Sequence, residues 1–144
     1  MPARDDIARA LLSLALLGVP SFPAGGVAAE AVEAASVENL SPEEASAWIR
    51  ENGSRGDFVL LDVRTPQEYR DERIAGALLI DYLSESFRED LGSMDRGKRY
   101  LIYCRTGNRS GKAVSLMKEL RFREVRHLSG GIVKWKEQGL PTVR

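Results

Sequence analysis

The chain has 144 residues, 43% of them hydrophobic and 29% charged, with one cysteine and one histidine. That length fits one domain plus a targeting segment, and that balance supports a packed core and excludes wholesale disorder. Basic and acidic side chains cancel at 21 each, which argues against a protein built to coat nucleic acid; the cysteine and histidine counts exclude an internal disulfide, a multi-thiolate metal site and a His-pair metal site.

The neutral total hides an asymmetry. Residues 30–95 carry 6 basic and 16 acidic side chains, whereas residues 96–144 carry 13 basic and 3 acidic. Either the two halves interleave and neutralise one another, or the basic half surrounds a site for a small anion.

At the N-terminus, Arg4 and Arg9 precede an apolar run over residues 10–19, which Pro20 and Pro23 break before the small residues 24–29. A basic stretch, a short apolar stretch and a small-x-small site are the parts of a secretory signal peptide. The run is shorter than the roughly 20 apolar residues a spanning helix needs. Val27 and Ala29 fit the cleavage site, so the expectation is export to the periplasm, loss of residues 1–29 and no membrane insertion afterwards. An uncleaved N-terminal anchor is the alternative. Residues 30–36 read as a linker and 37–144 as the folded domain.

Ser41-Pro42-Glu43-Glu44 opens a helix: Ser41 caps, Pro42 suits the first helical position and Glu44 completes a capping box. Ala45, Trp48 and Ile49 form its apolar stripe, and Gly53 ends it. Residues 58–61 are a continuous apolar run, hence a buried strand ending near Asp62. Thr65-Pro66-Gln67-Glu68 repeats the capping-box pattern. Residues 74–80 read as a second strand and 84–93 as a helix. Residues 100–103 are a third buried strand that runs into Cys104, a helix occupies 110–121, and 125–128 form a last strand. Gly130-Gly131 turns the chain into a short helix carrying Trp135. Strands alternating with helices predict an α/β domain: a parallel sheet of four to five strands covered on both faces. Ligands bind such sheets beyond the carboxyl ends of the strands, where Asp62 and Cys104 both fall.

The chemistry is concentrated in Tyr103-Cys104-Arg105-Thr106-Gly107-Asn108-Arg109-Ser110. A tight loop between a buried strand and a helix turns successive amides inward, and the helix N-terminus adds partial positive charge. Gly107 supplies the backbone angles of the curl. Arg105 and Arg109 add two permanent charges. All of these favour a thiolate, so Cys104 is expected below the ordinary thiol pKa. Thr106, Asn108 and Ser110 shape the loop, with Ser110 as the cap of the next helix. Asp62 and Arg64 either orient the loop by hydrogen bonds or Arg64 forms a plain surface pair with Glu68. His127 lies in a strand and reads as structural, a Cys–His or Ser–His–Asp site surviving only where it lies beside the nucleophile; Trp48 and Trp135 read as core, and Lys112 as a solvated helix charge unless it faces the pocket mouth. With no second thiol, a covalent intermediate on Cys104 must be discharged by an external acceptor.

At these residues the chain resembles the rhodanese family of sulfurtransferases. Cys104 to Ser110 looks like its active-site loop. Leu61-Asp62-Val63-Arg64-Thr65-Pro66-Gln67-Glu68-Tyr69 with Ile74 to Ala77 looks like its N-terminal signature, and Leu128-Ser129-Gly130-Gly131 with Trp135 and Gly139-Leu140-Pro141 like its C-terminal one. Where the family often has His-Ile-Pro-Gly-Ala, this chain has Arg73-Ile74-Ala75-Gly76-Ala77. The resemblance implies a rhodanese-like fold and a monomeric enzyme. Its Cys104 thiolate would take sulfane sulfur from a small anionic donor such as thiosulfate. The resulting persulfide would pass that sulfur to cyanide or a thiol, without metal or organic cofactor. Arg105, Thr106, Gly107, Asn108, Arg109 and Ser110 would bind the substrate.

Two rivals stand beside that reading. A phosphatase or arsenate reductase resembles a Cys-x5-Arg loop, whereas Cys104 to Arg109 is Cys-x4-Arg, a smaller cradle. A non-catalytic binding or sulfur-carrier module is the other; binding modules of this type typically lose the cysteine, which this chain keeps.

Overall fold

A computed structural model describes residues 36–144 as strands and helices in strict alternation. They are β1 (Ser36–Leu40), α1 (Pro42–Asn52), β2 (Phe58–Asp62), α2 (Pro66–Asp71), β3 (Leu78–Leu79), α3 (Phe87–Gly92), β4 (Arg99–Tyr103), α4 (Asn108–Glu119), β5 (Glu124–Leu128) and α5 (Gly131–Glu137). The strands form one parallel sheet in the order β1-β5-β4-β2-β3. The expected α/β architecture is therefore what the chain adopts. The apolar run at 10–19, the cleavage site and linker residues 30–35 lie outside the described residues. Among the described residues no helix is long and apolar enough to cross a membrane.

Both capping boxes form. Ser41 Oγ accepts from the Glu44 amide while the Glu44 carboxylate accepts from the Ser41 amide, and Thr65 and Glu68 repeat the exchange at α2. Each satisfies amide donors that the first helical turn leaves without partners.

The strands alternate sides, and this decides which helix each residue meets. Along β4, Leu101 and Tyr103 join the core beneath α1 and α5, with Trp48, Ile132 and Trp135. Tyr100 and Ile102, with Cys104 just past the strand, join the opposite core, with Leu91 of α3 and Ala113 and Met117 of α4. Trp48 and Trp135 are both core residues, as read from the sequence.

The helix at 84–93 shortens to Phe87–Gly92, and three further elements differ from the sequence reading. The first is β1, which is absent from that reading: Ser36, assigned to the linker, already pairs with Glu124. Its burial is exposed at four of five positions, so it has no apolar pattern to read; edge pairing with β5 alone makes it a strand. The second is the strand at 74–80, which shrinks to Leu78–Leu79. The Arg73 amide goes to Val143, the Ile74 amide to the Tyr103 hydroxyl and the Ala77 amide to Ile74 O, leaving no ladder there. The third is the helix at 110–121, which starts at Asn108 with Gly107 as its cap.

Part of the charge asymmetry is neutralised between the two halves. Acidic residues of the first half pair with basic residues of the second: Glu38 with Arg126 at 2.9 Å, Glu68 with Arg109 at 2.8 Å and Glu72 with Lys136 at 2.6 Å. The interleaved strand order brings these partners together.

Candidate active site

The sheet order reverses at β2. The chain leaves β2 for β3 on one side and returns to β4 on the other, so the crevice at their carboxyl ends is the topological switch point. Asp62 ends β2 opposite Tyr103, and Cys104 follows at once. Cys104 is 1% exposed. Its Sγ accepts from the Gly107 amide at 3.1 Å and from Ser110 Oγ at 3.2 Å. Gly107 sits at φ 105°, the left-handed region that lets the chain curl back over the sulfur before α4 begins. Ser110 is not the helix cap the sequence pattern predicts. It lies inside the first turn of α4, fully buried, with its hydroxyl spent on the sulfur side. Thr106 and Asn108 are exposed at the loop, and Lys112 is exposed on α4.

The outside of the loop is held by the first turn of α5. Ile132 N donates to Cys104 O at 3.0 Å and Val133 N to Arg105 O at 3.1 Å. These bonds turn the two carbonyls away from the sulfur, which leaves amides to face it. Gly131 makes the approach possible: a Cβ there would lie 2.3 Å from Arg105 O and 2.6 Å from Cys104 O.

Burial by itself raises the Cys104 thiol pKa. The Ser110 hydroxyl and the amides of Ser110, Gly107 and Thr106 outweigh it and hold the thiol below its ordinary value. The expected lowering is present, and the inward loop amides expected among its causes contribute to it. Arg109 gives both terminal nitrogens to Glu68, at 2.8 and 2.9 Å, and Arg105 is exposed. Hydrogen-bond donors in the loop lead the lowering, and the Arg109 charge also interacts with Cys104. Arg105 instead lines a cleft beside the loop, together with Arg64, Glu68 and Lys136.

Asp62 and Arg64 form a buried pair, 0% and 4% exposed. Arg64 Nη2 donates to Asp62 Oδ2 at 2.8 Å and to the Glu72 carbonyl at 2.6 Å. Neither of the two sequence readings holds as stated. Their hydrogen bonds go to each other and to the end of α2, not to the Cys104 loop, and Glu68 pairs with Arg109, not Arg64. The pair anchors α2, and α2 carries the Glu68 that holds Arg109.

One residue that the sequence reading set aside lies at the site. His127 Nε2 is 2.7 Å from Ser110 Oγ, and its Nδ1 is 3.0 Å from Asn39 Oδ1. His127 shares a sheet face with Val125, the face covered by α4. Its neighbours in the ladder are Ile102 and Asn39. Only strand order and register reveal this, because nothing local to residues 124–128 points to Ser110.

Residues 41–138 match the Rhodanese-like domain family. The chain is 35% identical over 117 residues to the probable adenylyltransferase/sulfurtransferase MoeZ of Mycobacterium tuberculosis, covering 81% of this chain and 29% of that protein. It thus spans under a third of that relative's length. It is 33% identical over 87 residues to a sulfurtransferase of Allochromatium vinosum, covering 60% of this chain and 79% of that one. Among solved structures, a rhodanese-related protein from Thermoplasma volcanium superposes with a TM-score of 0.61 at 30% identity, covering 74% of this chain and 97% of that one.

Proposed function

The chain belongs to the rhodanese-like domain family, and from that premise we propose that it moves sulfane sulfur from thiosulfate or a related anionic donor to cyanide or a thiol through a persulfide on Cys104. The observation that carries this reading is the pair of donors on Sγ, Gly107 N at 3.1 Å and Ser110 Oγ at 3.2 Å, at the end of a buried strand. They favour the thiolate, which is the nucleophile.

The thiolate attacks the outer sulfur of thiosulfate. The Sγ–S bond forms as the S–S bond to the sulfite sulfur breaks, and sulfite leaves with the electron pair. An acceptor thiolate or cyanide then attacks the terminal sulfur, and Sγ departs as thiolate again. Negative charge stays at the loop throughout, first on Sγ and then one atom further out. The inward amides of Thr106, Gly107 and Ser110 suit both positions.

A phosphatase reading is weaker. A tetrahedral oxyanion calls for an arginine free to clamp two oxygens. Arg109 has both terminal nitrogens committed to Glu68.

Intact mass after incubation with thiosulfate tests the proposal. One added sulfur on the wild-type chain and none on Cys104→Ser is the expected result. Unchanged mass in the wild type, or thiosulfate-to-cyanide turnover in Cys104→Ser, overturns it.

A further inference from the structure

A line of polar side chains runs from the sulfur across the sheet: Cys104 Sγ to Ser110 Oγ at 3.2 Å, Ser110 Oγ to His127 Nε2 at 2.7 Å, and His127 Nδ1 to Asn39 Oδ1 at 3.0 Å. These four residues come from the end of β4, from α4, from β5 and from β1. Ser110 is fully buried. The ring lies against the first turn of α4, where Cβ atoms at Gly107 and Gly111 would come within 3.8 and 4.0 Å of its Cε1.

Proton counting along this line has a definite consequence. A hydroxyl carries one proton, so Ser110 cannot donate to Sγ and to Nε2 at once. The Asn39 carbonyl oxygen on Nδ1 requires a proton there. When Cys104 is a thiol, its S–H points to Ser110 Oγ, the Ser110 proton goes to a bare Nε2, and the ring is neutral. When Cys104 is a thiolate, Ser110 turns its proton to the sulfur and offers Nε2 only lone pairs. Nε2 must then carry its own proton, and the ring is imidazolium.

We propose that Ser110 and His127 form a proton relay for Cys104, with His127 the positioning residue that stores the thiol proton and Asn39 the group that orients its ring. In the relay the S–H bond breaks as that proton passes to Ser110 Oγ, and the Ser110 O–H bond breaks as its proton passes to Nε2. No proton enters or leaves the protein, and one neutral pair becomes one ion pair. This rests on Cys104 being the nucleophile in the proposed transfer, and adds how its proton is handled.

The charged groups on the elements around the ring are otherwise engaged or remote. On β1 and β5, Arg126 pairs with Glu38 and Glu124, and Glu124 pairs more closely with Arg99 of β4. On α4, Arg109 is held by Glu68 and Lys112 is exposed. Cys104 is the titratable group joined to His127 by hydrogen bonds. Burial holds the imidazole below the ordinary histidine value, which disfavours imidazolium in the absence of a neighbouring anion.

One histidine and one cysteine make the test free of assignment. Imidazole nitrogen shifts of the wild-type chain are followed by NMR against pH, before and after alkylation of Cys104 with iodoacetamide. The relay predicts imidazolium retained to higher pH in the free protein, and a neutral ring at the same pH once the sulfur is capped. In parallel, His127→Gln keeps a donor near Ser110 but cannot store a proton. Its iodoacetamide rate near about pH 6 should fall about tenfold and converge on wild type at high pH, as a shift of about one unit in the thiol requires. A His127 titration unmoved by alkylation, or superimposable alkylation profiles in wild type and His127→Gln, overturns the relay. Failure of the sulfurtransferase reading is seen separately: shifted profiles with no sulfur taken up from thiosulfate would support the relay and remove its proposed use.

Discussion

Glu68 holds Arg109 through both carboxylate oxygens, 2.8 and 2.9 Å away and 41 residues along the chain. The same carboxylate accepts from the Thr65 amide and hydroxyl as half of a capping box. One side chain thus starts α2, draws the first turn of α4 towards it and occupies the arginine of the cysteine loop. The Arg109 guanidinium, with help from Thr65, holds the Glu68 carboxyl down at about 2 against burial.

That depression sets a pH dependence. A carboxylate whose folded pKa lies below its unfolded value stabilises the fold fully above the unfolded value and loses that contribution as pH falls towards the folded one. The window for Glu68 runs from 4.5 down to about 2. Glu68→Gln should therefore be less stable at neutral pH, by about 1–2 kcal/mol once solvent screening of a partly exposed pair is allowed for. It should also lose less stability than wild type on acidification through that window. Denaturant melts at several pH values check this; parallel loss in both proteins would show that the pair contributes nothing.

Gly131 is the second point of leverage. At φ 62° with no room for a Cβ, Gly131→Ala must push α5 off the Cys104 and Arg105 carbonyls. Gly139, at φ 71° with open space around it, is the control. Gly139→Ala should cost about 1–2 kcal/mol from backbone conformation alone. Gly131→Ala should cost more and also raise the alkylation pKa of Cys104, because the inward amides lose their alignment. Equal stability losses, with Cys104 reactivity unchanged in both, would show that α5 does not shape the loop.

Loop length bears on selectivity. With four residues between Cys104 and Arg109, and Arg109 bound to Glu68, aryl phosphate hydrolysis should be negligible beside sulfur transfer. Inserting one glycine after Thr106 should weaken sulfur transfer by disturbing the Gly107 and Ser110 donors. Both activities are measured on both chains. Efficient phosphate hydrolysis by the unmodified protein would overturn this reading of the loop.

Export is tested directly. The apolar run at 10–19 and the Val27–Ala29 site lead us to propose a mature chain beginning at Glu30. N-terminal sequencing of the protein from its native host should return Glu30, and an intact Met1 in the membrane fraction would favour the anchor.

Much of this molecule is legible locally. Both capping boxes, the buried strand before Cys104 and the glycine-bearing loop after it are contiguous patterns, and backbone geometry over a few residues dictates them. The alternation of strands and helices then leaves a parallel sheet as the natural outcome. Tertiary structure alone decided the partners. Edge strand β1 has no apolar periodicity, so only pairing with β5 defines it. The ladder places His127 between Ile102 and Asn39, and the fold brings its ring to Ser110, a contact with no local sequence signature. Glu68, read from the sequence as a possible partner of Arg64, pairs instead with Arg109 41 residues away, a contact that only the approach of α2 to the start of α4 creates, while Arg64 takes its near neighbour Asp62. Local pattern determines most of the elements; long-range register determines which strand side chains meet the helices, because a one-residue slip would turn His127 to the other face of the sheet.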